Sequence, residues 1–122
     1  QDLPKADYII ANPPYNDERW RRIKESVYTD PRWRYGTSVK FGADMAWLQH
    51  MLYTLRDGGS MAVVMSVSSL SRVNESGIRR KIVEDGLIEA VLLLPSRTFY
   101  STSVLTLCGC CGRAGSGKPI CC

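Results

Sequence analysis

Three short apolar runs, Asp7–Ala11, Ser60–Val67 and Leu87–Leu94, alternate with two stretches of helical period, and that alternation constrains the fold more than any other feature of the chain. The first run closes on Asn12-Pro13-Pro14, where two prolines remove consecutive ladder donors, and the third closes on Pro95. Between them Met45, Leu48, Leu52 and Leu55 recur at helical spacing over Ala43–Arg56, Trp47 and Met51 widen the stripe, and Gly58-Gly59 supplies a stop. A second helix, capped by Asn74 or Ser76 and ended by Gly86, turns Ile78, Ile82 and Val83 inward. A last extended run is expected over Ser103–Leu107. Strand, helix, strand, helix, strand predicts the α/β class, with right-handed crossovers and a mostly parallel sheet carrying helices on its faces. Met45, Leu48, Leu52, Ile78 and Ile82 should then be core residues, and the three strands neighbours.

With 122 residues, 44% of them apolar, the chain can bury a real core as one domain, and general disorder is excluded. No apolar run approaches the length of a spanning helix, which argues against a membrane protein. A formal charge of +4 permits a nucleic-acid partner without demanding one. All five cysteines follow Thr106, so they are no disulfide framework for the domain, which reads as cytoplasmic. The chain opens on Gln1 and enters a strand-like run almost at once, as expected of a piece of something longer.

Several further features carry two readings. Residues 16–42 form a long polar excursion in which Arg19, Arg21, Arg22, Lys24, Arg32 and Arg34 interleave with Trp20, Tyr28, Trp33 and Tyr35: a solvated face, or a surface where cations meet phosphates and aromatics meet bases. His50 reads as a surface or packing residue, and Asn74-Glu75-Ser76 as a helix start rather than a glycosylation triplet. Gly112–Lys118 matches a phosphate loop up to Pro119, which replaces the required hydroxyl residue, and the cysteines lack a paired knuckle for zinc. The expected division is residues 1–107 as part of a catalytic domain and 108–122 as a Cys/Gly-rich tail, either divergent or the product of a shifted reading frame.

The most specific motif is Asn12-Pro13-Pro14-Tyr15, directly after the first strand. In open α/β sheets the ligand crevice lies beyond the carboxyl ends of the strands, where this motif, Ser66–Ser69 and the loop after Leu94 should all fall. A stiff turn would account for the prolines alone. The four residues also suit a chemical task. A planar amine such as adenine N6 is a poor nucleophile until its lone pair is drawn out of the ring, and two hydrogen-bond acceptors around it do that. Asn12 offers a side-chain carbonyl, Pro13 a backbone carbonyl, and Tyr15 a face on which a base can stack.

Asp7–Asn16 resembles the catalytic motif of N6-adenine DNA methyltransferases. Asp30–Gly36, Ala43–Leu52, Ile78–Lys81 and Phe99–Thr102 extend the likeness to the modification subunit of type I restriction–modification systems, over about Asp7 to Leu107. The resemblance implies part of a Rossmann-like, S-adenosylmethionine-dependent fold and site-specific methyl transfer to a flipped adenine in DNA, alongside specificity and restriction subunits. It assigns Asn12 and Pro13 to the target amine and the border of the methyl donor, and Tyr15 to stacking. The family's glycine-rich donor loop lies upstream of its motif, so the isolated chain is expected to be inactive and to bind the donor weakly. The family's Asn-Gly-Ser-Leu run is here Val67-Ser68-Ser69-Leu70, and beyond Leu107 the likeness ends. The alternatives are an amino-group methyltransferase acting on protein glutamine or RNA, and a catalytically silent interaction remnant.

Overall fold

The computed structural model describes residues 3–14, 29–37, 43–95 and 104–110. They form β1 (Ala6–Ala11), a 3₁₀ turn (Pro31–Trp33), α1 (Asp44–Thr54), β2 (Leu55–Ser66), the short α2 (Ser68–Ser71), a second 3₁₀ turn (Val73–Glu75), α3 (Ser76–Glu84), β3 (Ala90–Leu93) and β4 (Val104–Cys110). The sheet order is β1-β2-β4-β3. β1 and β2 are parallel, and β4 runs antiparallel to both β2 and β3. The α/β class and the direction of the first three strands agree with expectation.

One adjacency does not. β4 is inserted between β2 and β3, so those two parallel strands are not neighbours. The physical reason is connectivity: only ten residues separate Leu93 from Val104, fewer than the dozen or more a crossover to a parallel neighbour needs, so β4 pairs antiparallel. β4 also extends past Leu107, with Cys108 opposite both Ala62 and Ala90 and Cys110 opposite Ser60.

α1 and α3 share one apolar cluster, in which Met45, Leu48, Met51, Ile78 and Ile82 meet Met61, Val63 and Met65 of β2. Along β2 those residues alternate with the half-buried Ala62 and Val64, as the two-residue period of a strand requires. α1 and α3 therefore pack on the same face of the sheet, as the flanking helices the sequence implied. On the other face Ile10 is 90% exposed. Leu52 is partly buried against the cluster, whereas Trp47 and Val83, expected to face inward, are exposed. Trp47 instead meets His50 edge to face, with centroids 6.4 Å apart.

Element ends follow from local chemistry. α3 finishes in a paired cap: the Gly86 N–H donates to the Val83 carbonyl and the Leu87 N–H to the Ile82 carbonyl, with Gly86 at φ +69°. That second bond engages Leu87 with the helix, which is why β3 starts at Ala90 rather than Leu87. At the other end Glu75 precedes the first turn, and neither Asn74 nor Ser76 is the cap. Gly58-Gly59 does not end α1. The helix stops at Thr54 and the two glycines lie in a bulge of β2, where Ala6 pairs with Leu55 but Tyr8 with Ser60. Gly58 has φ +78°, and a Cβ at Gly59 would lie 2.8 Å from the Asp7 carbonyl oxygen.

Candidate active site

The parallel pairing of β1 with β2 fixes where the motif falls. Ala11 lies opposite Val63, so Asn12, Pro13 and Pro14 continue past the end of β1 toward the edge at which β2 ends, at Ser66. Leu93 lies opposite Leu105, and Leu105 opposite Met65, which brings Leu94 and Pro95 to the same carboxyl edge. Asn12 is exposed and Pro13 half-buried, so both can be reached by a ligand above the sheet. Tyr15 lies outside the described residues, as does the loop from 96 to 103.

Beside the motif, the chain after β2 is tied down by polar contacts that the sequence reading did not single out. The Ser69 hydroxyl donates to the Ser66 carbonyl at 2.6 Å, and Ser69 is fully buried. Ser66 and Ser68 share a hydrogen bond of 2.9 Å, and the Ser66 hydroxyl also donates to Asp44 Oδ2 at 3.4 Å. Arg72 lies 3.4 Å from the same carboxylate oxygen and from the Ser68 hydroxyl. From α3, Arg79 donates to the carbonyls of Ser69 at 3.1 Å and Arg72 at 2.7 Å. Asp44 is 2% exposed, and a buried carboxylate is tolerable only with a partner of opposite charge, which Arg72 supplies. The available signal was an acid placed between Ala43 and Met45 at the start of an apolar helix.

A different construction occupies the amino edge. A cavity of about 200 Å³ is bordered there by Lys5, Tyr35, Tyr53, Leu55 and Leu87 together with three arginines. Each arginine has an acid: Arg32 with Asp30, Arg34 with Asp85 at 3.6 Å, and Arg56 with Asp7. Lys5 donates to the Tyr53 carbonyl and lies over its ring. Gln49, buried on α1, accepts from the Tyr35 N–H at 3.0 Å and donates to the Gly36 carbonyl at 2.9 Å, while the Tyr35 hydroxyl donates to Asp85 at 2.6 Å. The hydrogen bond from Arg32 holds the Asp30 carboxyl below its usual range. Burial, and secondarily Arg32, pushes the half-buried His50 imidazole down. Arg32 and Arg34 are thus engaged within the chain, and the remainder of the basic excursion lies outside the described residues.

Among the described residues no group of three or more His, Cys, Asp or Glu could hold a metal ion, and no helix is long and apolar enough to cross a membrane. For an S-adenosylmethionine donor, the exposed Asn12 and half-buried Pro13 lie at the carboxyl edge, where open α/β sheets take ligands, and each carries a carbonyl acceptor.

The family profile described as N-6 DNA methylase matches residues 1–108. The methylase subunit of the type I restriction enzyme HindI from Haemophilus influenzae is 42% identical over 102 residues, covering 82% of this chain and 23% of the relative. The chain spans only 17% to 23% of the length of that relative and three similar subunits from Methanocaldococcus jannaschii. Among solved structures, the methyltransferase subunit of a type I restriction-modification system from Streptococcus thermophilus superposes with TM-score 0.78 at 31% identity, covering 94% of this chain and 25% of that one. A Listeria monocytogenes protein assigned to the class I S-adenosylmethionine-dependent methyltransferases shares the fold, with TM-score 0.61 at 17% identity, covering 97% of this chain and 35% of that one.

Proposed function

Because the chain belongs to the N-6 DNA methylase family, we propose that it supplies the target-amine side of the catalytic site in a type I modification subunit, which methylates adenine N6 in DNA. The observation that carries this reading is the seating of Asn12-Pro13-Pro14 at the carboxyl edge, fixed by the parallel register of β1 and β2. The parent protein acts in the cytoplasm on DNA, with a specificity subunit choosing the sequence and a restriction subunit completing the system. S-adenosylmethionine, when bound, presents an electrophilic methyl group on a sulfonium centre.

The chain's own residues prepare the nucleophile. The target adenine leaves the duplex because its amine cannot be reached productively while stacked. The side-chain carbonyl of Asn12 and the backbone carbonyl of Pro13 accept hydrogen bonds from the exocyclic amine and draw its lone pair away from the ring. Pro13 and Pro14 bring no N–H donors to compete for those acceptors, and their rings hold the backbone still. Tyr15 stacks on the extruded base. No general base is required, since the proton departs after the nitrogen has become cationic. Asn12 and Pro13 also border the donor.

The deciding experiment uses the full-length subunit that carries this segment, assembled with its partner subunits and given labelled S-adenosylmethionine. Nucleoside analysis of the digested DNA should find the label on adenine N6, and Asn12→Ala should abolish most of it. Label on a protein glutamine or on RNA, with DNA unmodified, would replace this reading by the corresponding amino-group methyltransferase.

A further inference from the structure

The loop that follows β2 leaves the sheet at the same edge as the motif, and its sequence, Val67-Ser68-Ser69-Leu70, departs from the pattern of the family it resembles. Its backbone is nevertheless pinned from two helices. α1 contributes Asp44, which gathers the Ser66 hydroxyl and the Arg72 guanidinium. α3 contributes Arg79, whose two terminal nitrogens donate to the carbonyls of Ser69 and Arg72. Those carbonyls belong to the single turn of α2 and to the residue after it, where backbone acceptors have no partner within the helix. A guanidinium is suited to them, since its rigid fork spans two acceptors.

Ser69 is the fixed point of the arrangement. Its hydroxyl closes on the Ser66 carbonyl, its carbonyl accepts from Arg79, and the residue is fully buried. An exposed loop with no ligand to meet could leave such carbonyls to water. Here a charged side chain is brought from ten residues further along to order the turn that leaves β2 at the same carboxyl edge as Asn12 and Pro13.

We propose that Arg79 is a positioning residue for methyl transfer: it holds the Ser66–Arg72 loop, through the Ser69 and Arg72 carbonyls, as the wall of the crevice facing Asn12. This rests on the reading of that edge as a methyl-transfer site. Arg79 touches no reacting atom and acts only through the loop.

The test uses the same full-length subunit with its partners, at saturating donor and DNA, with single-turnover rates expressed per folded molecule. Arg79→Ala should lower that rate at least about tenfold, as expected when one wall of a site is displaced by a fraction of an ångström to an ångström. Amide hydrogen exchange should rise at Leu70–Val73 and stay unchanged in β1. Arg79→Lys, which can reach one carbonyl at a time, should recover part of the rate, and Arg80→Ala, on the exposed side of the same helix, should leave it unchanged. An unaltered rate per folded molecule in Arg79→Ala, with Asn12→Ala inactive in parallel, would overturn the proposal and leave Arg79 a purely structural residue. If Arg79→Ala does not fold, Arg79→Lys decides: a full rate overturns the proposal, while a reduced rate with faster exchange in the loop supports it. A normal rate in Asn12→Ala would instead overturn the function assigned to the edge, and with it any catalytic meaning of the loop.

Discussion

The two edges of the sheet spend their polar residues differently. At the amino edge the arginines around a half-open cavity each close on an acid, so their charge is neutralised locally. At the carboxyl edge the Asp44–Arg72 pair and Arg79 act on the backbone and hydroxyls of one loop, and the motif beside that loop is open to solvent. Among the described residues, the cavity bordered by Arg32, Arg34 and Arg56 lies at the amino edge. Strand direction and the chemistry of Asn12 lead to the other, which is where a parallel sheet gathers the loops that can meet a ligand.

The sharpest way to break this contrast is at Asn12. Asn12→Ala should lower methyl transfer by at least about a hundredfold per folded molecule, the scale of losing one preorganised polar contact in a transition state. Its unfolding midpoint should barely move; a shift in stability with the rate intact would make the motif a turn and nothing more. At Tyr15 the expected effect is smaller and depends on the substitution. Tyr15→Ala should weaken productive base capture by roughly 1–3 kcal/mol, whereas Tyr15→Phe keeps the stacking face and most of the activity in the same single-turnover assay.

The amino edge should respond in the opposite sense. Tyr35→Phe removes the hydroxyl that reaches Asp85 and should cost about 1 kcal/mol of stability in denaturant unfolding, with the rate per folded molecule unchanged.

The smallest effect is the response of this edge to acid. His50 is held below its ordinary value of 6.5, so the folded state favours the neutral ring, and the stability this brings is present above that value and declines as the pH falls below it. Asp30 is held below 3.8, so its contribution persists to lower pH and is lost as the pH falls through its native value. Acidification should therefore loosen the contact between α1 and the Pro31–Trp33 turn in two stages, and His50→Gln should erase the first from a pH series of unfolding midpoints.

Much of this could be read from residue order alone. Pro13 and Pro14 ended β1 where expected, Met45, Leu48, Ile78 and Ile82 carried a helical phase that tertiary packing kept, and Gly86 closed α3 by the cap its position implied. Other features depended on contacts that period does not encode. The insertion of β4 is a long-range pairing between residues 38 to 50 apart in sequence. Val83 and Trp47 are apolar, but they lie outside the narrow stripe that one sheet face can cover. At the candidate site, Asn12 and Pro13 stood out because proline and asparagine are legible in any context. Arg79 and Asp44 did not, since an arginine beside Arg80 and Lys81, or an acid opening a helix, is ordinary until its partner is known.

The bulge before Ser60 sets how far this sequence can drift without losing its register. Gly58 is held by torsion alone: nothing lies within 4 Å of its missing side chain, and a lineage could carry asparagine or aspartate there at modest strain. Gly59 is held by volume. A single methyl group would press on the backbone of Asp7, and relieving it would prise β1 from β2 at the end opposite the motif. The alignment of Asn12 with its neighbours thus depends on a position where descent has room for only one hydrogen atom.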